Sequence, residues 1–338
     1  MHFASADGES IEIGTYSGEL YRRNDKVEKY LVKAILFDGY YTASLIPGRV
    51  LGTDGTEADA GVPAGHGYLT IAVSNTGKAT IAGKLANNTA VSLSATACGI
   101  VRDGNSFSKN LAMIIPVHVS DATSCLAGNI RLFMQEDKDH PDGKGYRIVA
   151  DTSELMVWNV DKKNLTYDAK QGWRIEMQPV GGWYDKLVNL QAYYNDHAKK
   201  FAIGAPVTGF PQEILSEGYE YVTDDARLPS ATTIELAGNA FKVINVNPCN
   251  VKVTFTRATG VTSGSLTLLS TDAMGAEKAV GSFQHYGVLT IDRDNCMGGV
   301  KPLADKVLDT GFMIKAVQVD GRTWKFSAPF GIQATDWK

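Results

Sequence analysis

The chain has 338 residues, of which 44% are hydrophobic and 21% charged, and its formal net charge at pH 7 is −4. These proportions exclude a disordered protein, and the acidic balance argues against a nucleic-acid-binding protein, which needs a dense positive surface. No stretch reaches the ~20 consecutive apolar residues of a membrane-spanning helix, and the length favours two domains over one.

The N-terminal sequence MHFASADGES has neither the basic start nor the apolar run of a secretory signal peptide. Two interpretations remain open at this point. The protein is cytosolic, or it is extracytoplasmic and its leader peptide is absent from this sequence.

The clearest predicted elements are three strands between residues 67 and 97. Leu69, Ile71 and Val73 alternate with small or polar neighbours, which is the period of a half-buried strand. Asn75-Thr76-Gly77 follows, and its glycine and asparagine suit the positive φ of a tight turn. The alternation continues on two more strands, which predicts an antiparallel meander. Their inward residues are Ala79, Ile81, Gly83 and Leu85, and then Val91, Leu93, Ala95 and Ala97.

Residues 251–268 repeat this plan. Val251, Val253 and Phe255 form an inward row, Thr259-Gly260 makes a turn, and Gly264, Leu266 and Leu268 follow on the next strand. The spacing from the last inward residue to the turn glycine is one residue longer in the second copy. A bulge or a different turn is therefore expected there.

A shorter pattern, glycine two positions before leucine or isoleucine, recurs along the chain. Glycine weakens a strand, so it is expected where a sheet bends sharply or where another backbone comes close. Chance is the alternative explanation, because these residues are common. The four occurrences are Gly18-Glu19-Leu20, Gly83-Lys84-Leu85, Gly128-Asn129-Ile130 and Gly264-Ser265-Leu266.

The remaining sequence predicts further strands, one helix and several loops. The helix spans 182–200, where Leu187, Leu190 and Tyr194 recur at helical spacing. Exposed loops are predicted at 52–67 and 136–145. The further strands are predicted at 30–37, 111–119, 128–135, 154–160, 173–178, 279–291, 312–319 and 323–332.

We therefore predict an all-β fold of two antiparallel units, each resembling a β-barrel or β-sandwich, related by a weak internal repeat and accompanied by one short helix. The larger unit spans 1–200 and ends in the helix at about 183–200. Residues 201–235, rich in Pro, Gly and Asp, are predicted to be a linker, and 236–338 form the smaller unit.

No sequence motif of a known catalytic site is present, so no catalytic residue is assigned. The loop EDKDHPDGKG offers Asp137, Asp139 and Asp142, whose clustered carboxylates are ligands that calcium prefers. The spacing departs from an EF-hand because Pro141 stands where an oxygen-bearing ligand is needed. A charged, solvated loop is the favoured interpretation, and no cofactor is predicted.

Four aromatic residues, Trp158, Trp173, Trp183 and Tyr184, form the candidate ligand-binding group. Exposed rings of this kind can stack on the faces of sugars. The favoured alternative is that they fill the core or hold the predicted helix at 183–200 against the barrel, since aromatic side chains dominate core packing.

The four cysteines, Cys98, Cys125, Cys249 and Cys296, lack the C-x-x-C spacing of a zinc ribbon or thioredoxin motif. Disulfides pairing the first two and the last two are compatible with the domain division. Four reduced, buried thiols are the equally acceptable alternative.

Thr76-Gly77 with Gly83-Lys84-Leu85, and Thr259-Gly260 with Gly264-Ser265-Leu266, carry a resemblance to uncharacterised β-rich repeat modules of large secreted or surface proteins of bacteria. The resemblance covers about half of the chain. It implies an extracytoplasmic β-barrel or sandwich repeat and supplies no catalytic residues.

These observations give two functional hypotheses. The first is a non-enzymatic secreted or cell-surface protein with a structural, adhesive or ligand-binding role, whose partner is a glycan or another surface protein. The second is a carbohydrate-binding module, or a glycan-acting enzyme, that uses the aromatic residues. Neither hypothesis involves nucleic acid or a transmembrane segment.

Overall fold

The protein is all-β. The structure is a computed structural model, and its described part contains strands and three short 3₁₀ helices, at Ile35–Phe37, Asp225–Arg227 and Pro229–Ala231. The single described residue in α-helix is Ala34, which directly precedes the first of them. The described residues are 2–4, 10–12, 20–22, 34–51, 65–102, 111–121, 124–136, 146–150, 156–160, 172–184, 200–204, 220–221, 224–237, 240–288, 307–308, 317–319, 322–324 and 331–334.

The strands are numbered in chain order. Those of the first half are β1 (His2–Ala4), β2 (Ser10–Glu12), β3 (Leu20–Arg22), β4 (Gly39–Leu51), β5 (Gly67–Val73), β6 (Lys78–Lys84), β7 (Ala90–Thr96), β8 (Gly99–Arg102), β9 (Leu111–Ser120), β10 (Ser124–Glu136), β11 (Tyr146–Ala150), β12 (Met156–Val160) and β13 (Trp173–Trp183). Those of the second half are β14 (Lys200–Gly204), β15 (Glu220–Tyr221), β16 (Thr233–Ala237), β17 (Ala240–Val243), β18 (Lys252–Thr256), β19 (Val261–Thr271), β20 (Glu277–Val288), β21 (Val307–Leu308), β22 (Val317–Val319), β23 (Arg322–Trp324) and β24 (Gly331–Ala334).

The first large sheet has 11 strands in the order β3-β8-β9-β10-β11-β13-β4-β5-β6-β7, with β12 between β10 and β13. All of its pairings are antiparallel. This sheet is curled into a half-barrel, and the half-barrel encloses the main core. The fully buried side chains at its centre include Tyr41, Leu45, Leu69, Ile71 and Trp158.

The predicted meander is confirmed as β5, β6 and β7. Leu69, Ile71, Val73, Ala79 and Ile81 are buried, as their alternation predicts. The turn between the first two strands is closed by a hydrogen bond from the Gly77 N–H to the Ser74 carbonyl, and Gly77 has φ +75°. The turn between β6 and β7 is closed by a hydrogen bond from the Asn88 N–H to the Leu85 carbonyl, and Asn88 also has positive φ.

The second meander is confirmed as β18, β19 and β20. These strands belong to a 9-stranded sheet with the path β15-β19-β18-β17-β16-β14-β24-β21, in which β20 is the ninth strand and pairs with β19. The expected difference in the turn is also present. In the first copy, residues 75–77 connect Ser74 to Lys78, whereas in the second copy residues 257–260 connect Thr256 to Val261. A loop longer by one residue thus accommodates the extra position without a bulge.

Three strand glycines have the same close contact with a neighbouring backbone. A Cβ on Gly83 would lie 1.9 Å from the Tyr68 carbonyl oxygen, and one on Gly264 would lie 1.8 Å from the Lys252 oxygen. Gly181, on β13, would meet the Thr42 oxygen at 2.0 Å. In each case the oxygen belongs to the residue before the glycine's cross-strand partner. For Gly83 and Gly264, two of the four predicted positions, this confirms the expectation that glycine is required where backbones approach. Gly18, another of the four, lies outside the described residues.

Two sequence predictions need correction. Residues 35–37, within the strand predicted at 30–37, form a 3₁₀ helix, and the adjacent β4 is a 13-residue strand that was not predicted. The helix predicted over 182–200 does not include its ends, because Gly182 and Trp183 finish β13 and Lys200 begins β14. Residues 185–199 lie outside the described residues.

Most of the other predicted strands are confirmed, with extended or shifted bounds, as β9, β10, β12, β13 and β20. The segment predicted at 312–319 is described only over β22, and 323–332 only over parts of β23 and β24. Within 201–235, residues 201–204 lie in β14 and residues 233–235 in β16, both in the second sheet.

Pro116 lies just beyond the end of the β8–β9 ladder. The Asp121 N–H donates to the Ser124 carbonyl at the start of β10, and the Ile114 carbonyl accepts from the Cys98 N–H beside β8. The backbone N–H and C=O groups of the even-numbered residues of β9 are therefore directed toward β8. Pro116 is the next even position after Ile114, and proline has no N–H to offer. The β8–β9 ladder accordingly ends at Ile114, and β7, which continues into β8, is not paired with β9.

Candidate functional site

The two meanders meet at a cluster of four tyrosines, Tyr40, Tyr68, Tyr184 and Tyr286, which we call the tyrosine junction. Tyr40 lies on β4, Tyr68 on β5, and Tyr184 directly follows β13. Tyr286 lies near the end of β20 in the second sheet. The junction is therefore the place where the second repeat contacts the first.

Tyr286 provides the central contact. Its hydroxyl donates a buried hydrogen bond of 3.1 Å to the Leu85 carbonyl, at the end of the first hairpin. Its ring lies edge-on to the Tyr68 ring, with centroids 6.0 Å apart, and the Lys84 ammonium lies 4.6 Å from its centroid. Val288 is fully buried in the same cluster. One aromatic ring thus combines an apolar, a cation–π and a hydrogen-bonding contact across the junction.

The turn of the second meander provides the other contact. The Tyr184 hydroxyl donates to the Arg257 carbonyl, and the Tyr40 hydroxyl donates to the Thr259 carbonyl at 3.3 Å. Gly260 has φ +69°, and a Cβ there would lie 2.9 Å from the Tyr184 ring and 3.2 Å from the Thr42 methyl group. Both the left-handed backbone and the tight fit require glycine at this position.

The junction covers part of the outer face of the first sheet. Tyr40, Thr42 and Ser44 alternate with the core residues of β4, so they point away from the main core. Thr42 and Ser44 are nevertheless buried, because β20 lies against β4 and β5. On the same outer face, Ala72 and Thr80 are exposed. The second sheet therefore covers a defined part of this face.

The chemistry of the junction is hydrogen-bond donation. Burial raises the pKa of Tyr40, against a smaller lowering effect of its hydrogen bond with Thr70. Burial also raises the pKa of Tyr68, with a further contribution from Tyr40. Both phenols stay protonated at neutral pH, so Tyr40 donates its hydrogen bond to the Thr259 carbonyl and Tyr68 contributes the apolar surface of its ring.

His285 lies beside the junction in β20. Its ring crosses Gly264 on the neighbouring strand, and its Nε2 lies 2.8 Å from the Lys252 carbonyl on the strand beyond. Burial lowers the pKa of this histidine to about 4, although the hydrogen bond to Lys252 acts in the opposite direction. At neutral pH the imidazole is uncharged, and Nε2 carries the proton that bonds the carbonyl.

The sequence-predicted aromatic group is divided by the fold. Trp158 and Trp173 lie in the main core, edge-on with centroids 5.7 Å apart, and the Trp158 indole donates to the Ser124 hydroxyl. Tyr184 is buried in the junction. Trp183 packs against the core but is partly exposed. The rings of Trp158 and Trp173 therefore present no face to solvent.

The predicted metal ligands Asp137, Asp139 and Asp142 lie outside the described residues. Within the described ranges, no group of three or more His, Cys, Asp or Glu side chains is placed to hold a metal ion. Cys98, Cys125 and Cys249 are free thiols, so the Cys98–Cys125 bridge is not formed. Burial raises the pKa of Cys249 to about 11, whereas Cys98 is an exposed residue and not a buried one. Cys296 is outside the described residues.

Sequence reasoning missed Tyr40, Tyr68 and Tyr286 as interacting residues. Tyr68 directly precedes the inward row of β5, and nothing in its local pattern indicates a partner in the second repeat. The available signal was weak. Large aromatic residues on the outer side of a strand suggest a covered surface.

Comparisons of the chain with protein-family models, with curated proteins and with solved structures found no match. In the part of the chain that the structure describes, no helix has both the length and the apolar character needed to cross a membrane.

Proposed function

We propose that the chain is a non-enzymatic β-repeat protein of a secreted or cell-surface type, with a structural or adhesive role. The observation that supports this proposal is the tyrosine junction, which holds one glycine-punctuated meander against the outer face of the other. A structural module has to keep its parts in a fixed relative orientation. The contacts of the junction are of a kind that would fix the orientation of the two meanders.

The character of the contacts supports a fixed arrangement. Units within one chain move relative to each other by default unless their interface is large and apolar. Here Tyr286 and Val288 are buried against Tyr68, and three tyrosine hydroxyls bond to backbone carbonyls across the contact. Carbonyls are fixed parts of the strands and turns. These bonds therefore restrict the rotation of the two meanders relative to each other as well as their separation.

Spin labels can test this rigidity. We would label Thr80 and Thr254, which are exposed and lie on the first and second sheets, after replacing the native cysteines by serine. A narrow distance distribution is expected, and Tyr286→Ala should broaden it. Tyr68→Phe, which keeps the ring contact, is the matched control. A broad distribution in the parent protein would contradict a fixed structural module.

The compartment needs a separate experiment. Protease treatment of intact source cells should digest the native full-length protein, as detected with an antibody against this chain, while a cytosolic marker stays intact. Recovery of undigested protein only with the cytosolic fraction would refute the secreted or surface assignment.

Carbohydrate binding is the second candidate function, and one observation favours it. Trp183 is partly exposed, and its indole lies over Gly39, where a Cβ would come within 2.8 Å of Nε1. A partly exposed indole above a glycine resembles the edge of a flat binding platform. A glycan array with the parent protein and Trp183→Ala would test it. Binding that survives the substitution, or no binding at all, would count against this candidate.

A further inference from the structure

The tip of the hairpin between β19 and β20 presents one methionine to solvent. Met274 is 90% exposed, more than any other large hydrophobic residue in the described part of the chain. Its neighbours Ala273, Gly275 and Ala276 are also exposed, and all three are too small to cover a thioether. A carbon added to Gly275 would have no atom within 4 Å, so the space around the tip is open. The sulfur of Met274 is therefore accessible to small molecules in solution.

The turn that carries Met274 is fixed by its own hydrogen bonds. The Asp272 carboxylate accepts bonds of 2.9 Å from the Met274 N–H and from the Ala276 N–H. The Asp272 N–H donates to the Ala276 carbonyl at 3.0 Å, and the Gly275 N–H donates to the Asp272 carbonyl at 2.9 Å. Gly275 has φ +78°, which glycine adopts without strain. No described contact holds the Met274 side chain against the rest of the protein.

The base of the hairpin is anchored on both of its strands. β15 pairs with Ser270 and Thr271 at the end of β19. At the start of β20, an Arg227 guanidinium nitrogen lies 2.6 Å from a Glu277 carboxylate oxygen. The turn thus stands on a supported base, and a chemical change at its outermost side chain leaves these contacts intact.

The other methionines of the described residues are enclosed. Met113, Met156 and Met177 are 0% exposed and Met134 is 2% exposed, and all four belong to the main core. A thioether reacts with a two-electron oxidant without first losing a proton, so access of the oxidant decides which methionine reacts. Exposure therefore distinguishes Met274 from these four residues.

We propose that Met274 is a reversible oxidation site for peroxides, and that its oxidation leaves the fold unchanged. The sulfur lone pair attacks one oxygen of hydrogen peroxide, and an S–O bond forms as the O–O bond breaks. The other oxygen leaves as hydroxide and takes the proton of the transferred oxygen, which gives water. The sulfur is oxidised to the sulfoxide while the peroxide is reduced. The apolar tip becomes polar, and methionine sulfoxide reductases can reach it to restore the thioether.

Peptide mapping by mass spectrometry, after treatment of the full chain with hydrogen peroxide, tests the proposal. The reaction is run at pH 6, where Cys98, Cys125 and Cys249 stay protonated because burial raises their pKa values. The sulfoxide should form at Met274 at least about tenfold faster than at the four enclosed methionines, given the difference in their exposure. The urea midpoint should not change, and a sulfoxide reductase with dithiothreitol should restore the original mass.

Two variants and an unfolded reference complete the test. Met274→Leu should abolish the fast reaction, whereas Met113→Leu, the matched control in the core, should retain it. In urea-unfolded protein the five methionines should react at similar rates, because the fold no longer protects four of them. Equal rates in the folded chain, a lower urea midpoint after oxidation of Met274 alone, or a sulfoxide that the reductase leaves unreduced would overturn the proposal. None of these outcomes depends on the tyrosine junction.

Discussion

The Tyr286 hydroxyl donates a hydrogen bond to the carbonyl of Leu85, a residue 201 positions earlier in the chain. This bond joins the last strand of the second meander to the end of the first hairpin. The hydrogen bond therefore couples the stability of the two meanders.

Tyr286→Phe should lower the free energy of unfolding by about 1 kcal/mol, because it removes one of the two hydrogen bonds to the Leu85 carbonyl and leaves the bond from the Asn88 N–H in place. Urea unfolding measures the change. Tyr68→Phe is the control, since no hydrogen bond of the Tyr68 hydroxyl is found among the described contacts. Equal effects of the two substitutions would show that the Tyr286 bond makes no specific contribution.

Gly264→Ala should destabilise the second meander by about 3 kcal/mol, because the new methyl group collides with the Lys252 carbonyl and the His285 ring. Thermal or urea unfolding measures the loss. Gly275→Ala is the matched control. Gly275 has φ +78° but no atom within 4 Å of the added carbon, so only the backbone cost of about 1 kcal/mol is expected. A smaller effect at Gly264 than at Gly275 would refute the close-contact explanation.

His285 should make the protein less stable in mild acid. Above pH 6.5 the imidazole is neutral in both folded and unfolded chains. Between pH 6.5 and about 4 only the unfolded chain takes up a proton, since burial lowers the folded pKa to about 4. The free energy of unfolding should thus fall by about 3 kcal/mol over this interval and then stop changing on this account.

Urea unfolding at pH 7 and at pH 4.5, for the parent and for His285→Gln, isolates this effect from the carboxylates. Glutamine can still donate to the Lys252 carbonyl but does not titrate. The variant should lose less stability than the parent between the two pH values. The same loss in both proteins would mean that His285 does not cause the pH dependence.

Asn247→Ala should cost about 2 kcal/mol. The Asn247 side chain accepts from the Val251 N–H at 2.7 Å and donates to the Val251 carbonyl at 3.0 Å, which reproduces a strand pairing across the loop before β18. Both bonds are lost in alanine. Chemical denaturation checks the magnitude, and hydrogen exchange at Val251 should accelerate. Unchanged exchange at Val251 would contradict this role.

The sequence predicts most of the fold because period-two alternation is a local property. The alternation of Leu69, Ile71 and Val73 shows which side of the strand faces the core, whichever strands lie beside it. β4 was missed although Tyr41, Ala43 and Leu45 also alternate, because Pro47 and Gly48 interrupt the pattern. The structure accommodates them with a register shift against β13.

The candidate site was less predictable because its contacts are long-range. Tyr286 and Leu85 belong to different repeats, and no local periodicity brings them together. Residues 35–37 show the converse error. Their apolar composition suits a strand, but they form a 3₁₀ turn in which Phe37 is buried. The Phe37 carbonyl accepts a hydrogen bond from the Tyr41 hydroxyl. Composition identified a core residue there and not its backbone conformation.

Pro116 has a consequence for its strand that its neighbours do not share. It lacks an N–H on the side of β9 that faces β8, and the ladder between these two strands reaches only as far as Ile114. The opposite side of β9 is unaffected, since Pro116 lies opposite Asn129 in the continuous pairing with β10. A single imino acid can thus mark the end of one ladder of a strand while the ladder on its other side continues.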